Sequence, residues 1–166
     1  MISNVTLTTK EKYLLEDEKT HEEQCILKYD NYANLASDAQ LKAVFRANGQ
    51  TEQEHLQTIN QLLQGKVPSM AGQGQSNQGT SQPGQISSQQ SSVEMSGSSN
   101  FKISDKEMCI DMLSTEKYVS GTYDTAIFEF KDAQVRDVLN HIQKEEQKHG
   151  EAIFAYMQSK GMYNPQ

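Results

Sequence analysis

The feature that most constrains the fold of this chain is an internal repeat. Residues 22–66 align without a gap on residues 116–160, at an offset of 94 positions. Each copy contains the pattern Glu-x-x-His. Repeated segments of this length are expected to form the same supersecondary unit twice. The identical pairs include Glu22 and Glu116, Tyr29 and Tyr123, Asp38 and Asp132, Glu52 and Glu146, His55 and His149, Ile59 and Ile153, and Lys66 and Lys160.

The spacing of the apolar residues predicts that each copy is a pair of helices. Large apolar residues recur every three or four positions on either side of Ser37 and of Lys131, which are the predicted turns. Thr8 and Ser104 are each followed three residues later by Glu, which is the capping-box signature of a helix start. Ser37 is the predicted N-cap of the second helix. The first three predicted helices cover residues 8–36, 37–64 and 104–130. The fourth runs from about residue 132 to residue 161.

An abrupt change in composition separates the two hairpins. The intervening sequence consists mainly of Gln, Ser and Gly, with Pro68 and Pro83. Such a segment cannot build a core, so a flexible, disordered linker is expected. A spacer is the favoured interpretation, and cross-linking through Gln and Lys side chains is the alternative. The predicted organisation is a first hairpin at 8–65, a linker at 66–100 and a second hairpin at 101–164, and the two hairpins form one all-α bundle.

The repeated acidic and histidine residues are predicted to meet at one level of this bundle. Residues three apart lie on the same face of a helix, so each Glu-x-x-His presents a carboxylate and an imidazole together. Glu22 and Glu52 both lie 15 residues from Ser37, and the same spacing recurs about Lys131. In an antiparallel hairpin these residues stand side by side, about 22 Å from the turn. The candidate ligands are Glu22, Glu52, His55, Glu116, Glu146 and His149.

This topology and ligand pattern resemble those of ferritin-like di-metal proteins. In that group two helices each supply a Glu, the other two each supply Glu-x-x-His, and one crossover is long. Four carboxylates and two imidazoles suit two iron or manganese ions. The competing interpretation is a set of buried polar residues that binds no metal. Tyr29 and Tyr123 follow the Glu of their helices by two turns, and they are either hydrogen-bond donors to a ligand carboxylate or aromatic core residues.

Charge and hydropathy argue against two classes of partner. The net charge of −7 leaves no basic face for the phosphates of a nucleic acid. The chain has no run of about 18 apolar residues, and its first residues do not resemble a signal peptide, so neither a membrane span nor secretion is expected. Cys25 is expected to be buried and Cys109 exposed. His21 and His141 are also expected to be exposed.

Three stretches of the second hairpin are Asp111–Tyr123, Glu145–His149 and Met157–Tyr163. These stretches resemble the Coat F domain of spore coat proteins from endospore-forming Firmicutes. The resemblance is good over about residues 104–164 and weaker over residues 8–66, and it does not cover the linker. It implies a structural protein of the spore coat, made in the mother-cell cytoplasm and assembled with other coat proteins.

Two functions therefore stay open at this point. A structural coat protein that keeps a di-metal site is the favoured interpretation. The alternative is a di-iron or di-manganese oxidase, peroxidase or catalase-like enzyme, which the complete ligand set supports. Iron storage is a weaker third interpretation, and homo-oligomer formation is also left open.

Overall fold

The computed structural model describes residues 3–68 and 102–163. In these ranges four long helices pack as a bundle, and two short strands pair with each other. The predicted all-α four-helix architecture is confirmed. None of the helices in the described ranges is both long and apolar enough to cross a membrane. The elements are β1 (Ser3–Asn4), α1 (Thr9–Leu35), α2 (Ala39–Leu63), β2 (Lys66–Val67), α3 (Asp105–Glu129) and α4 (Ala133–Ser159).

The first helix of each hairpin begins at a predicted capping box. Thr8 pairs with Glu11 at the start of α1, and Ser104 pairs with Glu107 at the start of α3. In each box the hydroxyl accepts a backbone hydrogen bond while the Glu carboxylate reaches back to the N-cap N–H. These contacts satisfy backbone donors that a helix start otherwise leaves unpaired.

The prediction that Ser37 caps α2 is wrong. The N-cap is Asp38, whose Oδ1 accepts two backbone N–H groups from the first turn of α2, at 2.7 and 3.4 Å. An ionised carboxylate is a stronger acceptor than a hydroxyl. The backbone N–H of Ser37 instead donates to Asp105 Oδ1 at 2.7 Å. The second hairpin has the equivalent cap, because Asp132 is the N-cap of α4.

Contacts at the two ends of the bundle fix the direction of the helices. Lys10 Nζ at the start of α1 lies 2.5 Å from Glu129 Oε2 at the end of α3. At the other end, Asp105 at the start of α3 contacts Ser37 after α1. The two helices are therefore antiparallel. Consequently α2 ends and α3 begins at opposite ends of the bundle, which is the predicted topology with one long crossover.

Each hairpin also binds the turn of the other hairpin. Glu11 Oε1 accepts the backbone N–H of Lys131 at 3.0 Å. Asp105 accepts the backbone N–H groups of Ser37 and Asp38 at 2.7 and 3.0 Å. Glu11 and Asp105 are 94 positions apart, and so are Ser37 and Lys131. The repeat therefore extends to the contacts that dock the hairpins on each other.

The linker predicted at 66–100 falls mainly on residues 69–101, which lie outside the described ranges. Lys66 and Val67 form β2, which pairs antiparallel with β1. Val67 is buried. Gly65 has a φ of 74°, a left-handed conformation that suits glycine, at the turn from α2 into this strand. Ordered structure in the first hairpin therefore continues two residues past the predicted boundary at 65.

Two apolar clusters fill the bundle, one towards each end, and the buried Glu and His side chains lie between them along the helices. One cluster includes Leu15, Ile59, Val119, Val135 and Leu139. The other includes Tyr29, Leu41, Phe45, Met112 and Ile153. This arrangement isolates the polar layer from bulk water.

The cysteine and histidine expectations are confirmed for one residue and wrong for three. Cys25 is fully buried, as predicted. Cys109 is also fully buried, because it lies on the inner face of α3 within the second apolar cluster. Burial raises the pKa of Cys109 to about 12, so its thiol stays protonated. His21 and His141 are partly buried, since each contacts an acidic side chain.

Candidate metal centre

The six predicted ligands come together in the polar layer between the apolar clusters. The helices α1 and α3 each supply one Glu, and α2 and α4 each supply a Glu and a His. Burial of so many ionisable groups is costly unless they are paired or bind a cation. Their exposed fractions are 0% for Glu22, Glu52 and Glu146, 2% for His55, 3% for Glu116 and 4% for His149.

The ligand atoms form two overlapping groups. Within each group, one atom from every residue lies within 4.8 Å of the others. Glu52 and Glu146 belong to both groups, and each has two carboxylate oxygens, so each can contact an ion in either group. The His55 group is Glu22, Glu52, His55 and Glu146, and the His149 group is Glu52, Glu116, Glu146 and His149.

Both imidazoles direct Nδ1 at several carboxylates. His55 Nδ1 lies 3.0 Å from Glu52 Oε2, 3.0 Å from Glu146 Oε1 and 3.6 Å from Glu22 Oε2. The Nδ1 of His149 lies between 3.1 and 3.7 Å from oxygens of its own group. One N–H group cannot satisfy three carboxylates.

Some carboxylate oxygens in this layer consequently lack a donor. Glu22 Oε2, Glu116 Oε2 and both carboxylate oxygens of Glu146 are buried without a hydrogen-bond partner among the described residues. Buried acceptors without a partner are rare in folded proteins. Four carboxylates carry a charge of about −4, which two divalent cations would balance. The donor set therefore fits a pair of such ions.

Proton binding partly compensates the charge of this layer when no cation is bound. Burial raises the pKa of Glu22 well above its usual value and that of Glu116 to about 8. Burial opposes the charged form of His149, but neighbouring carboxylates outweigh it and raise the pKa of this imidazole to about 11. The pKa of His55 is raised in the same way. Burial also opposes ionisation of Glu146, but the two histidines, whose Nδ1 atoms lie 3.0 and 3.5 Å from its oxygens, lower its pKa to about 2.

Two tyrosines connect the candidate ligands across the bundle. Tyr29 of α1 donates a hydrogen bond to Glu116 of α3, and Tyr123 of α3 donates one to Glu22 of α1. Both tyrosines are fully buried. Burial raises the pKa of each phenol well above its usual value, so each hydroxyl remains a donor. The two alternatives left open by the sequence therefore combine, since each ring packs in the core and each hydroxyl holds a carboxylate.

Asn48 adds a polar contact whose partners the sequence did not predict. Its Nδ2 donates to Tyr29 Oη at 3.1 Å and to the His149 carbonyl at 3.4 Å. The repeat has Ile142 at the equivalent position. The internal repeat therefore does not identify Asn48 as part of the site. Its position as a polar residue in an apolar stripe was the sequence feature that could have done so.

Glu145 makes a further contact with a candidate ligand that the sequence did not predict. Its Oε2 lies 2.9 Å from His55 Nε2, on the side of the imidazole opposite the ligand group. The hydrogen bond with His55 lowers the pKa of Glu145. The same oxygen lies 3.4 Å from His141 Nε2, one turn earlier on α4. The i, i+4 spacing of His141 and Glu145 was the sequence feature that could have indicated a contact between these two side chains.

A second polar cluster lies one turn before Glu22 on α1. Glu18 is 2% exposed, and its Oε2 accepts a hydrogen bond from Thr122 at 3.0 Å and lies 3.2 Å from His21 Nδ1. These three residues line a surface cleft between α1 and α3, with a volume of about 690 Å³. The cleft lies beside the candidate metal centre, but its residues are not among the six ligands.

Comparison with known proteins agrees with this architecture. A solved structure from Anabaena variabilis, a two-domain protein containing DJ-1/ThiJ/PfpI-like and ferritin-like domains, matches with a TM-score of 0.67 at 13% identity. The match covers 98% of this chain and 40% of that one, so the chain spans less than half of that protein. The fold is ferritin-like. No curated protein sequence matches the chain.

The family comparison concerns the second hairpin. Residues 104–166 match the Coat F domain. This finding confirms the resemblance of the second hairpin, and it does not test the weaker one over residues 8–66. The Coat F region contains α3 and α4, and it therefore carries three of the six candidate ligands, Glu116, Glu146 and His149. The other three candidate ligands lie in the first hairpin, outside the matched residues.

Proposed function

We propose that this chain is a structural protein of the spore coat whose ferritin-like bundle holds two iron or manganese ions. The match to the Coat F domain supports the coat assignment. The proposed location is the spore coat, with assembly from the mother-cell cytoplasm. The proposed partners are other coat proteins, and a second copy of this chain is a further candidate.

The overlap of the two ligand groups is the observation that supports a pair of ions best. The shared residues Glu52 and Glu146 come from α2 and α4, while each remaining Glu comes from α1 or α3. The buried carboxylate oxygens that lack a hydrogen-bond donor would serve as oxygen ligands to these ions. Imidazole and carboxylate together suit iron and manganese.

The distribution of the candidate ligands over the helices supports a structural role for bound metal. All four helices contribute, so bound cations would join both hairpins at the middle of the bundle. Ligands that bind only the folded state stabilise it by mass action, by about 2.7 kcal/mol at a concentration one hundred times Kd. Such a centre would make the coat protein more resistant to unfolding.

The alternative function is a di-metal oxidoreductase. Iron and manganese change oxidation state, and this is the chemistry that they would supply when bound. The observation in favour of this alternative is the complete set of candidate ligands, four carboxylates and two imidazoles, together with the two buried tyrosines that hold two of the carboxylates in place. Tyr29 and Tyr123 hold Glu116 and Glu22 through hydroxyl groups that remain protonated. The same contacts also suit a purely structural centre.

Elemental analysis followed by turnover measurements tests both functions. The full chain is purified without chelator, its metal content is measured, and consumption of oxygen and of hydrogen peroxide is followed. About two ions per chain with no turnover would support the structural role. Turnover that disappears when His55 and His149 are replaced by Ala would support the enzyme. A chain that binds no iron or manganese would eliminate both metal-dependent functions.

A further inference from the structure

The symmetry between the two hairpins breaks down beside the histidines. His55 is held from both sides, with Nδ1 towards the carboxylates of its group and Nε2 2.9 Å from Glu145 Oε2. When Nδ1 binds a cation it must be free of its proton, so Nε2 carries the proton and donates it to Glu145. This contact fixes both the tautomer and the orientation of the ring.

The equivalent position in the first hairpin cannot provide this contact. Thr51 stands 94 residues before Glu145, and its hydroxyl donates within its own helix to the Ala47 carbonyl at 3.4 Å. Ala47 is in turn the equivalent of His141, which flanks Glu145 on α4. His141 and Glu145 therefore both belong to the second hairpin, and Glu145 contacts the histidine of the first hairpin, His55.

The His149 group has a different support, in which an amide takes the place of the Glu145 carboxylate. Asn48 donates to Tyr29, and Tyr29 donates to Glu116. Tyr123 makes the corresponding contact with Glu22 in the His55 group, so the two groups differ in the bond of His55 to the ionised Glu145 and the bond of Asn48 to the neutral Tyr29 hydroxyl. Hydrogen bonds that involve an ionised group are roughly twice as strong as bonds between neutral groups. In addition, the negative charge of Glu145 favours a cation nearby, whereas the amide of Asn48 has no net charge. Both effects favour the His55 group.

We propose that the two ligand groups bind metal unequally, because Glu145 is a positioning residue for His55 and the His55 group therefore takes up the first ion. This inference rests on the proposed di-metal centre. Loss of contacts of this kind typically weakens metal affinity about 10-fold to 100-fold. The loss should affect the first binding step and leave the second unchanged.

Titration of the metal-free full chain with cobalt(II) tests the proposal, since the visible absorption of cobalt(II) reports its ligands at each step. The variant is E145Q, which keeps the size of the side chain and removes its charge. The matched control is E151Q, which makes the same charge change at an exposed position of the same helix. Circular dichroism shows that each variant is folded.

The wild-type chain and E151Q are expected to bind cobalt(II) in two steps. E145Q should raise Kd of the first step about 10-fold to 100-fold and change the absorption of the first ion. H149A should keep the tight step, and H55A should lose it. An unchanged first step in E145Q, an equal loss at both steps, or a tight step that survives H55A would overturn the inference while leaving the di-metal centre intact. A wild-type chain that binds no cobalt(II), iron or manganese would overturn both.

Discussion

Tyr29 crosses from the first hairpin to the second and donates its hydroxyl hydrogen bond to Glu116, so that a core aromatic residue of α1 holds a candidate ligand of α3. The reciprocal contact of Tyr123 with Glu22 completes a symmetric pair across the bundle. Each contact joins two residues that lie in different hairpins. The polar layer therefore contributes to docking of the hairpins as well as forming the candidate metal centre.

Replacement of Tyr29 by Phe should destabilise the metal-free chain by about 1–3 kcal/mol, because it leaves a buried Glu116 oxygen without its donor. Urea denaturation with chelator present measures the change. Y13F is the matched control, since Tyr13 is 69% exposed on the same helix. Equal stability of Y29F and Y13F would show that the hydroxyl contributes nothing.

The metal-free chain should be less stable at pH 8 than at pH 6. Between pH 4.5 and about 8 the folded chain keeps a proton on Glu116 that the unfolded chain releases, and between pH 6.5 and about 11 the same applies to His149. Stability falls with rising pH wherever the folded state binds more protons. Both groups therefore act in the same direction. Metal-loaded protein should lose much of this dependence, because its ligands are deprotonated at both pH values.

Urea midpoints at the two pH values, with chelator and with manganese(II), give the measurement. A metal-free chain that becomes more stable from pH 6 to pH 8 would contradict the raised pKa values of these buried groups.

Two isosteric substitutions should change the stability of the metal-free chain by different amounts. E116Q replaces a carboxyl group that is already largely protonated at pH 6, so stability there should change little and the loss towards pH 8 should be smaller. E146Q removes an ionised carboxylate that faces both histidines, and loss of a buried partner of this kind costs about 3–5 kcal/mol. Urea denaturation at pH 6 separates them, and similar losses for both variants would refute the assignment. Both should weaken metal binding.

The contact between Asp105 and the first turn should contribute to docking of the hairpins. D105A removes a carboxylate that accepts the backbone N–H groups of Ser37 and Asp38, and it should cost about 1–3 kcal/mol. K106A, at the adjacent exposed position, is the control. Thermal denaturation compares the two variants, and equal melting temperatures would show that this contact is not stabilising.

Two helical glycines should respond differently to alanine. A Cβ at Gly49 would lie 3.0 Å from Tyr29 Cβ, whereas a Cβ at Gly121 would have no neighbour within 4 Å. Alanine favours a helix over glycine by about 1 kcal/mol, so G121A should be stabilising. In G49A the close approach of α1 should cancel or reverse this gain and displace Tyr29. Urea denaturation measures both, and an equal gain in both variants would contradict the tight packing at Gly49.

Much of the architecture could be predicted because it depends on local patterns. Helical periodicity, the boxes at Thr8 and Ser104, and the offset of 94 residues predicted two similar hairpins. The equal distances of Glu22 and Glu52 from Ser37 also placed the candidate ligands at one height, since an α-helix rises by a constant amount per residue.

The sequence by itself thus determined the helices, their pairing into hairpins and the six residues that face one another, because these follow from periodicity along the chain. Only the tertiary structure decided which N–H groups Asp105 binds, how deeply Cys109 is buried, and that Tyr29 reaches Glu116. It also decided that Glu145 supports His55. These contacts depend on the rotation and separation of packed helices, which a repeat in the sequence does not specify, and they occur where the two copies differ as well as where they agree.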